Sequence, residues 1–141
     1  MRVCVIDGHG GGLGRRLVRE LRTGLSPGHE LIGLGMTQAA ATAMGEAGAA
    51  RICVGPKAIA ETVRTADLIV APLNVLFPDR NQWEVTSTMV QTILEARCRK
   101  ILLPVNRFRV EVAGTESHKL EQLIATSLLR VRSLLSGVPE S

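Results

Sequence analysis

Aromatic residues are scarce in this chain of 141 residues, where they make up 2 % of the sequence and include no tyrosine. The core must therefore be built from aliphatic side chains, and the 45 % of hydrophobic residues is enough to build one. The net charge of +4 is a first hint of nucleic-acid binding. However, the arginines are spread over several predicted helices, and no aromatic side chains stand among them to stack on bases. We therefore expect no nucleic-acid partner.

Disulfide patterns, metal-ligand spacings and long apolar runs are also missing. The three cysteines, Cys4, Cys53 and Cys98, are too scattered for a disulfide framework or a zinc site, and they indicate reduced thiols. No apolar run approaches the roughly 18 residues that a membrane helix needs. Met1 leads directly into a short strand pattern, without the features of a signal peptide. These absences predict a cytoplasmic protein with no membrane partner and no metal site.

The length fits one domain covering residues 1–141, because single domains usually hold about 100–200 residues. Short apolar runs that stop at Gly or Pro alternate with segments of helical periodicity. The predicted strands are residues 2–6, 31–34, 51–54, 67–71 and 100–103, with a further edge strand proposed at 108–113. The predicted helices cover residues 13–25, 37–47, 57–65 and 85–98, and residues 73–84 are predicted to be irregular. A last helix should present an apolar face made of Leu120, Leu123, Ile124, Leu128, Val131 and Leu135.

Such alternation favours parallel strands joined by right-handed crossovers. We predict a single three-layer Rossmann-like α/β domain, with a mostly parallel sheet of about five strands and helices on both faces. Ligands of these folds bind at the carboxyl ends of the strands, at the switch point beside the first strand. Four polar residues follow predicted strand ends and are candidate ligand contacts: Thr37, Asn74, Asn106 and Arg107. Each also has an ordinary structural explanation, as a helix cap for Thr37 and as loop chemistry for the others.

The strongest functional signal is the loop after the first strand, which consists of Asp7, Gly8, His9, Gly10, Gly11, Gly12, Leu13 and Gly14. Glycines let an anion approach the backbone, and the N–H groups at the start of the following helix favour negative charge. We therefore predict that this loop binds a phosphate-bearing ligand. Arg15, in the first helical turn, suits an arginine that meets an anion, although a solvated position explains it equally well. A tight packing turn without a ligand is the alternative for the whole loop.

The spacing of the glycines excludes several specific phosphate loops. The dinucleotide fingerprint G-x-G-x-x-G would need a glycine at Leu13 or Arg15, and the Walker A pattern would need a lysine after Gly14. The pattern Gly8-x-x-x-Gly12-x-Gly14 matches the cofactor loop of short-chain dehydrogenases, but their Tyr–Lys chemistry is excluded because the chain has no tyrosine. No acidic residue ends the second predicted strand, where a ribose would be held. NAD(P) or another nucleotide remains open as a bound cofactor.

The roles of Asp7 and His9 stay open at this stage. A carboxylate facing a phosphate would repel it, so Asp7 either accepts N–H groups of its own loop or holds a ribose hydroxyl or a magnesium ion. His9 lies between glycines and is either a solvated residue, a hydrogen-bonding partner of the ligand or a general acid.

The glycine opening V-I-D-G-x-G-G-G-x-G, together with A-T-A-M, A-G-A and I-L-L-P-V-N-R further along, resembles a family of small bacterial Rossmann-like proteins of unknown function. The resemblance covers nearly the whole chain. It implies a Rossmann-like fold and no settled activity. It also implies a polar amide at the position of His9 and a lysine at the position of Arg15, both of which differ here.

Three functions are consistent with these observations. The first is a module that binds a nucleotide, NAD(P) or another phosphate-bearing molecule at the glycine loop. The second is an interaction or regulatory subunit with a degenerate ligand site. The third is a small enzyme that acts on a phosphorylated metabolite, although the sequence offers no recognisable Ser–His–Asp, Cys–His or paired-carboxylate set. A homodimer is compatible with all three, because an open sheet leaves an edge to cover.

Overall fold

The computed structural model describes residues 1–80, 85–104 and 110–136. Five strands form one sheet in which all neighbours are parallel, in the order β3-β2-β1-β4-β5. They are β1 (Arg2–Asp7), β2 (Glu30–Gly35), β3 (Arg51–Val54), β4 (Leu68–Pro72) and β5 (Arg99–Leu103). The helices are α1 (Gly12–Gly24), α2 (Gln38–Glu46), α3 (Pro56–Val63), α4 (Ser87–Glu95) and α5 (Leu120–Leu135). The predicted α/β architecture is confirmed.

The sheet is covered on both faces, because successive side chains of a strand point to opposite sides. In β1, Val3 and Val5 belong to a core that also contains buried residues of α1, α2 and α5. Cys4 and Ile6 belong to the other core, which is built with α3 and α4. The four β1 residues have no exposed surface, so the central strand is buried on both faces, as parallel strands usually are.

Helix and strand limits depart from the predictions in a few places. The fourth helix is shorter than predicted because Thr86 caps it, accepting a 3.1 Å hydrogen bond from the Met89 N–H. The segment predicted to be irregular begins as a short 3₁₀-helix, Leu73–Leu76. Of the proposed edge strand, 108 and 109 lie outside the described residues, Val110 forms an isolated bridge, and 111–113 form no strand. On α5, Leu120 is 46 % exposed, so it does not belong to the buried face as predicted.

The described part of the chain contains five α-helices, α1 to α5. None of them combines the length and the apolar character that crossing a bilayer requires.

Candidate functional site

The strand order places a switch point between β1 and β4. From β1 the chain continues to β2 on one side, whereas β4 and β5 extend the sheet on the other side. A cavity of about 150 Å³ lies at the carboxyl ends of these two strands. Its lining comes from the glycine loop, at Asp7, Gly8, His9, Gly10, Gly11, Gly12 and Leu13, and from Pro72 and Asn74 after β4. This is the place at which ligands of such sheets bind.

Asp7 ends β1 beneath this cavity and is 7 % exposed. Its Oδ1 accepts the Gly8 N–H at 2.8 Å, and its Oδ2 accepts the Gly14 N–H at 2.6 Å. Gly14 is the third residue of α1, so the carboxylate caps the helix from seven residues upstream. Of the alternatives for Asp7, the structure contains the one in which it accepts N–H groups of its own loop.

The remaining amides of the loop divide into two groups. The Gly11 N–H donates to the Gly8 carbonyl oxygen at 3.0 Å, and the Arg15 N–H donates to the Gly11 carbonyl oxygen at 2.7 Å. In contrast, the N–H groups of Gly10, Gly12 and Leu13 find no acceptor among the described residues. These three donors lie at or just before the N-terminus of α1, and their residues line the cavity.

The loop glycines also form two groups, according to whether there is room for a side chain at each position. Gly11 and Gly14 have no such room. Gly11 has φ +74°, and a Cβ there would lie 2.6 Å from the Ala40 Cα. A Cβ on Gly14 would lie 2.7 Å from the Asp7 Cβ and 2.9 Å from the Met44 Sδ. Packing therefore requires glycine at both positions, since real side chains do not approach so closely.

Gly10 and Gly12 are not required by packing. A Cβ at either position would meet no atom within 4 Å, and neither residue has a left-handed φ. Both residues line the cavity. Because neither residue has a side chain, a ligand could approach the backbone closely at both positions.

Asn74 lies in the 3₁₀-helix after β4 and lines the same cavity as Gly10, Gly12 and Leu13. It is 8 % exposed. Its side-chain amide makes no hydrogen bond to any residue in the described parts of the chain. Within the described ranges no fully buried side-chain nitrogen or oxygen lacks a partner, so the Asn74 amide keeps contact with solvent, and its donor and acceptor are available to a guest or to water in the cavity.

The other predicted contacts have different positions. The Thr37 hydroxyl donates to the His9 carbonyl oxygen and accepts the Ala40 N–H at 3.1 Å, so Thr37 caps α2 and braces the loop without lining the cavity. Arg15 is exposed and is also outside the lining. His9 is exposed at the rim and has φ 50°. Asn106 and Arg107 lie outside the described residues.

Sequence reasoning did not select Pro72, which lines the cavity next to Asn74. The one sequence feature that could have indicated Pro72 as a lining residue is its position at the end of a predicted central strand. A larger cavity, of about 270 Å³, lies beside the N-terminal end of α5 and is lined in part by the exposed residues Glu111, Glu116 and His118. Within the described ranges, no group of three or more His, Cys, Asp or Glu side chains could hold a metal ion.

Fold and cavity together define a Rossmann-like α/β protein with its cavity at the sheet's switch point. The chain belongs to the family described as a domain of unknown function, DUF3842, whose model matches residues 2–136. The expected membership in a family of unknown function is confirmed. No curated protein matches the chain.

Among solved structures, the chain is similar to a dodecameric FMN-dependent UbiX-like decarboxylase from Escherichia coli O157:H7. The similarity covers 99 % of this chain and 96 % of that chain, with a TM-score of 0.58 and 14 % sequence identity. At this identity the likeness shows the fold alone.

Proposed function

We propose that this protein binds a nucleotide, NAD(P) or another phosphate-bearing small molecule in the cavity between β1 and β4. One observation carries the proposal: the N–H groups of Gly10, Gly12 and Leu13 have no acceptor among the described residues, and these residues line a cavity that is also lined by Asn74, whose side-chain amide makes no hydrogen bond in the described parts of the chain. Such donors at the start of a helix bind anions, because the helix dipole adds to their own partial charges.

The negative charge of Asp7 repels an anion in this cavity. The energy of this repulsion has to be compared with the energy gained from hydrogen bonds between the anion and the loop amides. Two unit charges about 6 Å apart repel by roughly 3 kcal/mol at an effective dielectric constant near 20. Hydrogen bonds to a charged group contribute about 1.5–3 kcal/mol each. A phosphomonoester carries nearly two charges and is repelled by about 4–6 kcal/mol, which three backbone donors offset with about 4.5–9 kcal/mol. The charge of Asp7 is also partly compensated by the Gly8 and Gly14 N–H groups.

FMN is the first ligand to test, because the structurally similar decarboxylase is described as FMN-dependent. FMN carries a terminal phosphate, which is the group that the three amides would hold. NAD(P) and other nucleotides belong to the same panel. The proposal concerns binding and assigns no catalytic step.

A second candidate is an interaction subunit in which the ligand site is degenerate. It is favoured by the Asp7 carboxylate, which already supplies a negative group to the N-terminus of α1. Exposed apolar side chains on the edge strand β3, Ile52 and Val54, each 38 % exposed, would then contribute to a contact between copies of the chain. Self-association fits a fold that occurs in a dodecameric protein.

A thermal-shift panel with FMN, NAD, NADP, ATP, GTP, FAD and coenzyme A separates these candidates. A ligand present at one hundred times its dissociation constant stabilises the folded state by about 2.7 kcal/mol, which is a readily measured rise in Tm. Stabilisation by at least one of them is expected, and it should disappear in the double variant Gly10→Ala, Gly12→Ala. No shift with any compound, together with a dimer or larger assembly in size-exclusion measurements, would favour the interaction subunit.

A further inference from the structure

We infer that the ligand of this site is a phosphomonoester with one ring-sized group, such as a mononucleotide or a sugar phosphate, and not a dinucleotide. The inference rests on the proposed function and narrows it to one class of ligand. It follows from a difference between the two sides of the loop, which is closed towards β2 and, as far as residues 1–80, 85–104 and 110–136 show, open towards β4.

The β2 side is closed first by hydrogen bonds. The Met36 N–H donates to the Asp7 carbonyl oxygen at 2.8 Å, so the chain leaving β2 stays attached to the end of β1. One residue later, the Thr37 hydroxyl donates to the His9 carbonyl oxygen. Thr37 also caps α2, so the helix begins directly beside the glycine loop.

Backbone packing closes the same side a second time. A Cβ on Gly11 would lie 2.6 Å from the Ala40 Cα, and a Cβ on Gly35 would lie 2.4 Å from the Ala41 backbone nitrogen. The first turn of α2 therefore contacts the loop and the end of β2 at backbone distance. Met36, which follows β2, is 6 % exposed and fills the remaining space.

A dinucleotide in this kind of fold needs the space that α2 takes here. Its two halves lie across the switch point, and an acidic residue at the end of the second strand holds the ribose of the first half. In this chain β2 ends at Gly35, followed by the buried Met36, so neither the space nor the acidic group is present there.

The β4 side offers the opposite environment. The cavity is lined there by Pro72 and Asn74, and no residue of β2 or α2 contributes to its lining. Its volume of about 150 Å³ is below the roughly 300–1,000 Å³ of pockets that enclose drug-sized ligands. It accommodates a phosphate and the sugar next to it, and a larger base or ring system would continue outwards past Asn74.

Calorimetric titration with four probes tests the inference: ribose 5-phosphate, FMN, NAD⁺ and unphosphorylated ribose. We expect ribose 5-phosphate and FMN to bind at least ten-fold more tightly than NAD⁺, and ribose not to bind. If NAD⁺ binds as tightly as the two phosphomonoesters, the inference is overturned and the proposed function remains. If none of the three phosphate-bearing probes binds, the inference is overturned, and the proposed function fails as well if the thermal-shift panel gives no stabilisation by any of its compounds.

Two variants locate the ligand on one side of the loop. Asn74→Leu removes the amide on the open side, and Gln38→Leu makes the same change at an exposed position in the first turn of α2, on the closed side. We expect Asn74→Leu to weaken ribose 5-phosphate binding at least ten-fold and Gln38→Leu to leave it within two-fold. The reverse order would overturn the inference, as would equal effects.

Discussion

Asp7 and Gly14 are joined by a 2.6 Å hydrogen bond from the Gly14 N–H to Asp7 Oδ2, and a Cβ on Gly14 would lie only 2.7 Å from the Asp7 Cβ. The strand end and the first helical turn are therefore held at a separation that only glycine permits. Gly11 and Gly14, the two positions at which packing requires glycine, form the inner part of the loop. The outer part of the loop consists of Gly10, Gly12 and Leu13, which line the cavity and whose N–H groups have no acceptor among the described residues.

Replacing the outer glycines should separate binding from stability. In Gly10→Ala and Gly12→Ala the new methyl group meets no atom within 4 Å, so the free energy of unfolding should stay constant or rise by about 0.4–1 kcal/mol. The methyl group would cover the amides, and the affinity for ribose 5-phosphate should fall at least ten-fold. Gly28→Ala is the matched control, because Gly28 also has open space around it but lies in a distant turn. Unchanged affinity in both loop variants would contradict the account.

Replacing Gly11, in the inner part of the loop, should instead lower the free energy of unfolding. Gly11→Ala forces a side chain into a left-handed φ of +74° and against the Ala40 backbone. Strain of this kind costs about 1–3 kcal/mol, and overpacking adds a similar amount. Urea unfolding should show a loss of at least about 2 kcal/mol. A loss below about 0.5 kcal/mol would mean that Gly11 is not needed for packing.

Asp7→Asn should destabilise the fold and strengthen anion binding. The amide has the same shape as the carboxylate but only one oxygen, so either the Gly8 or the Gly14 N–H loses its acceptor. We expect a loss of about 1–3 kcal/mol in the free energy of unfolding. Removing the negative charge from the cavity should raise the affinity for ribose 5-phosphate. Weaker binding by folded Asp7→Asn protein would show that Asp7 contributes to recognition of the ligand.

Cys4 should be the least reactive thiol and a source of stability that is lost at high pH. Burial raises the pKa of the Cys4 thiol from 9.0 to about 12. The folded state holds this proton more tightly than the unfolded chain, so the contribution is complete below pH 9 and is lost as the pH rises from 9 towards 12. At pH 8, a thiol reagent should modify the half-buried Cys53 before Cys4. Equal modification rates for the two thiols would refute this prediction.

The ion pair between Glu121 of α5 and Arg16 of α1 should stabilise the fold at neutral pH and lose this effect in acid. Both of its carboxylate oxygens accept hydrogen bonds from Arg16, which lowers the pKa of Glu121 below 4.5. The folded pKa is depressed, so the stabilisation is present above pH 4.5 and is lost as the pH falls through the folded value. Acid unfolding curves of wild-type and Glu121→Gln protein should converge at low pH, with Glu61→Gln as a control on the exposed face of α3. Parallel curves at all pH values would exclude this role.

The layered fold was accessible from local patterns. Gly and Pro end the short apolar runs, so the strands could be placed to within about two residues, and Thr37 could be recognised as a helix cap. The switch point followed from the alternation of strands and helices. Asn74, chosen for its place after a strand end, does line the cavity.

The sequence could not predict which glycines of the loop are required by packing and which have open space around them. Gly11 and Gly14 are needed because Ala40 and Met44 of α2 press against them, and these contacts depend on tertiary packing. The same packing engages Thr37 with His9 and leaves Arg15 outside the cavity. No local signal distinguishes a glycine that packs from one that faces open space.

An amide-resolved ¹H–¹⁵N NMR titration with ribose 5-phosphate tests the central claim most directly. The account predicts saturable shifts of the Gly10, Gly12 and Leu13 backbone signals and of the Asn74 side-chain amide, with much smaller shifts at Gly28. A titration that leaves these three backbone signals in place up to saturating phosphate, or moves only signals outside the cavity, would contradict it.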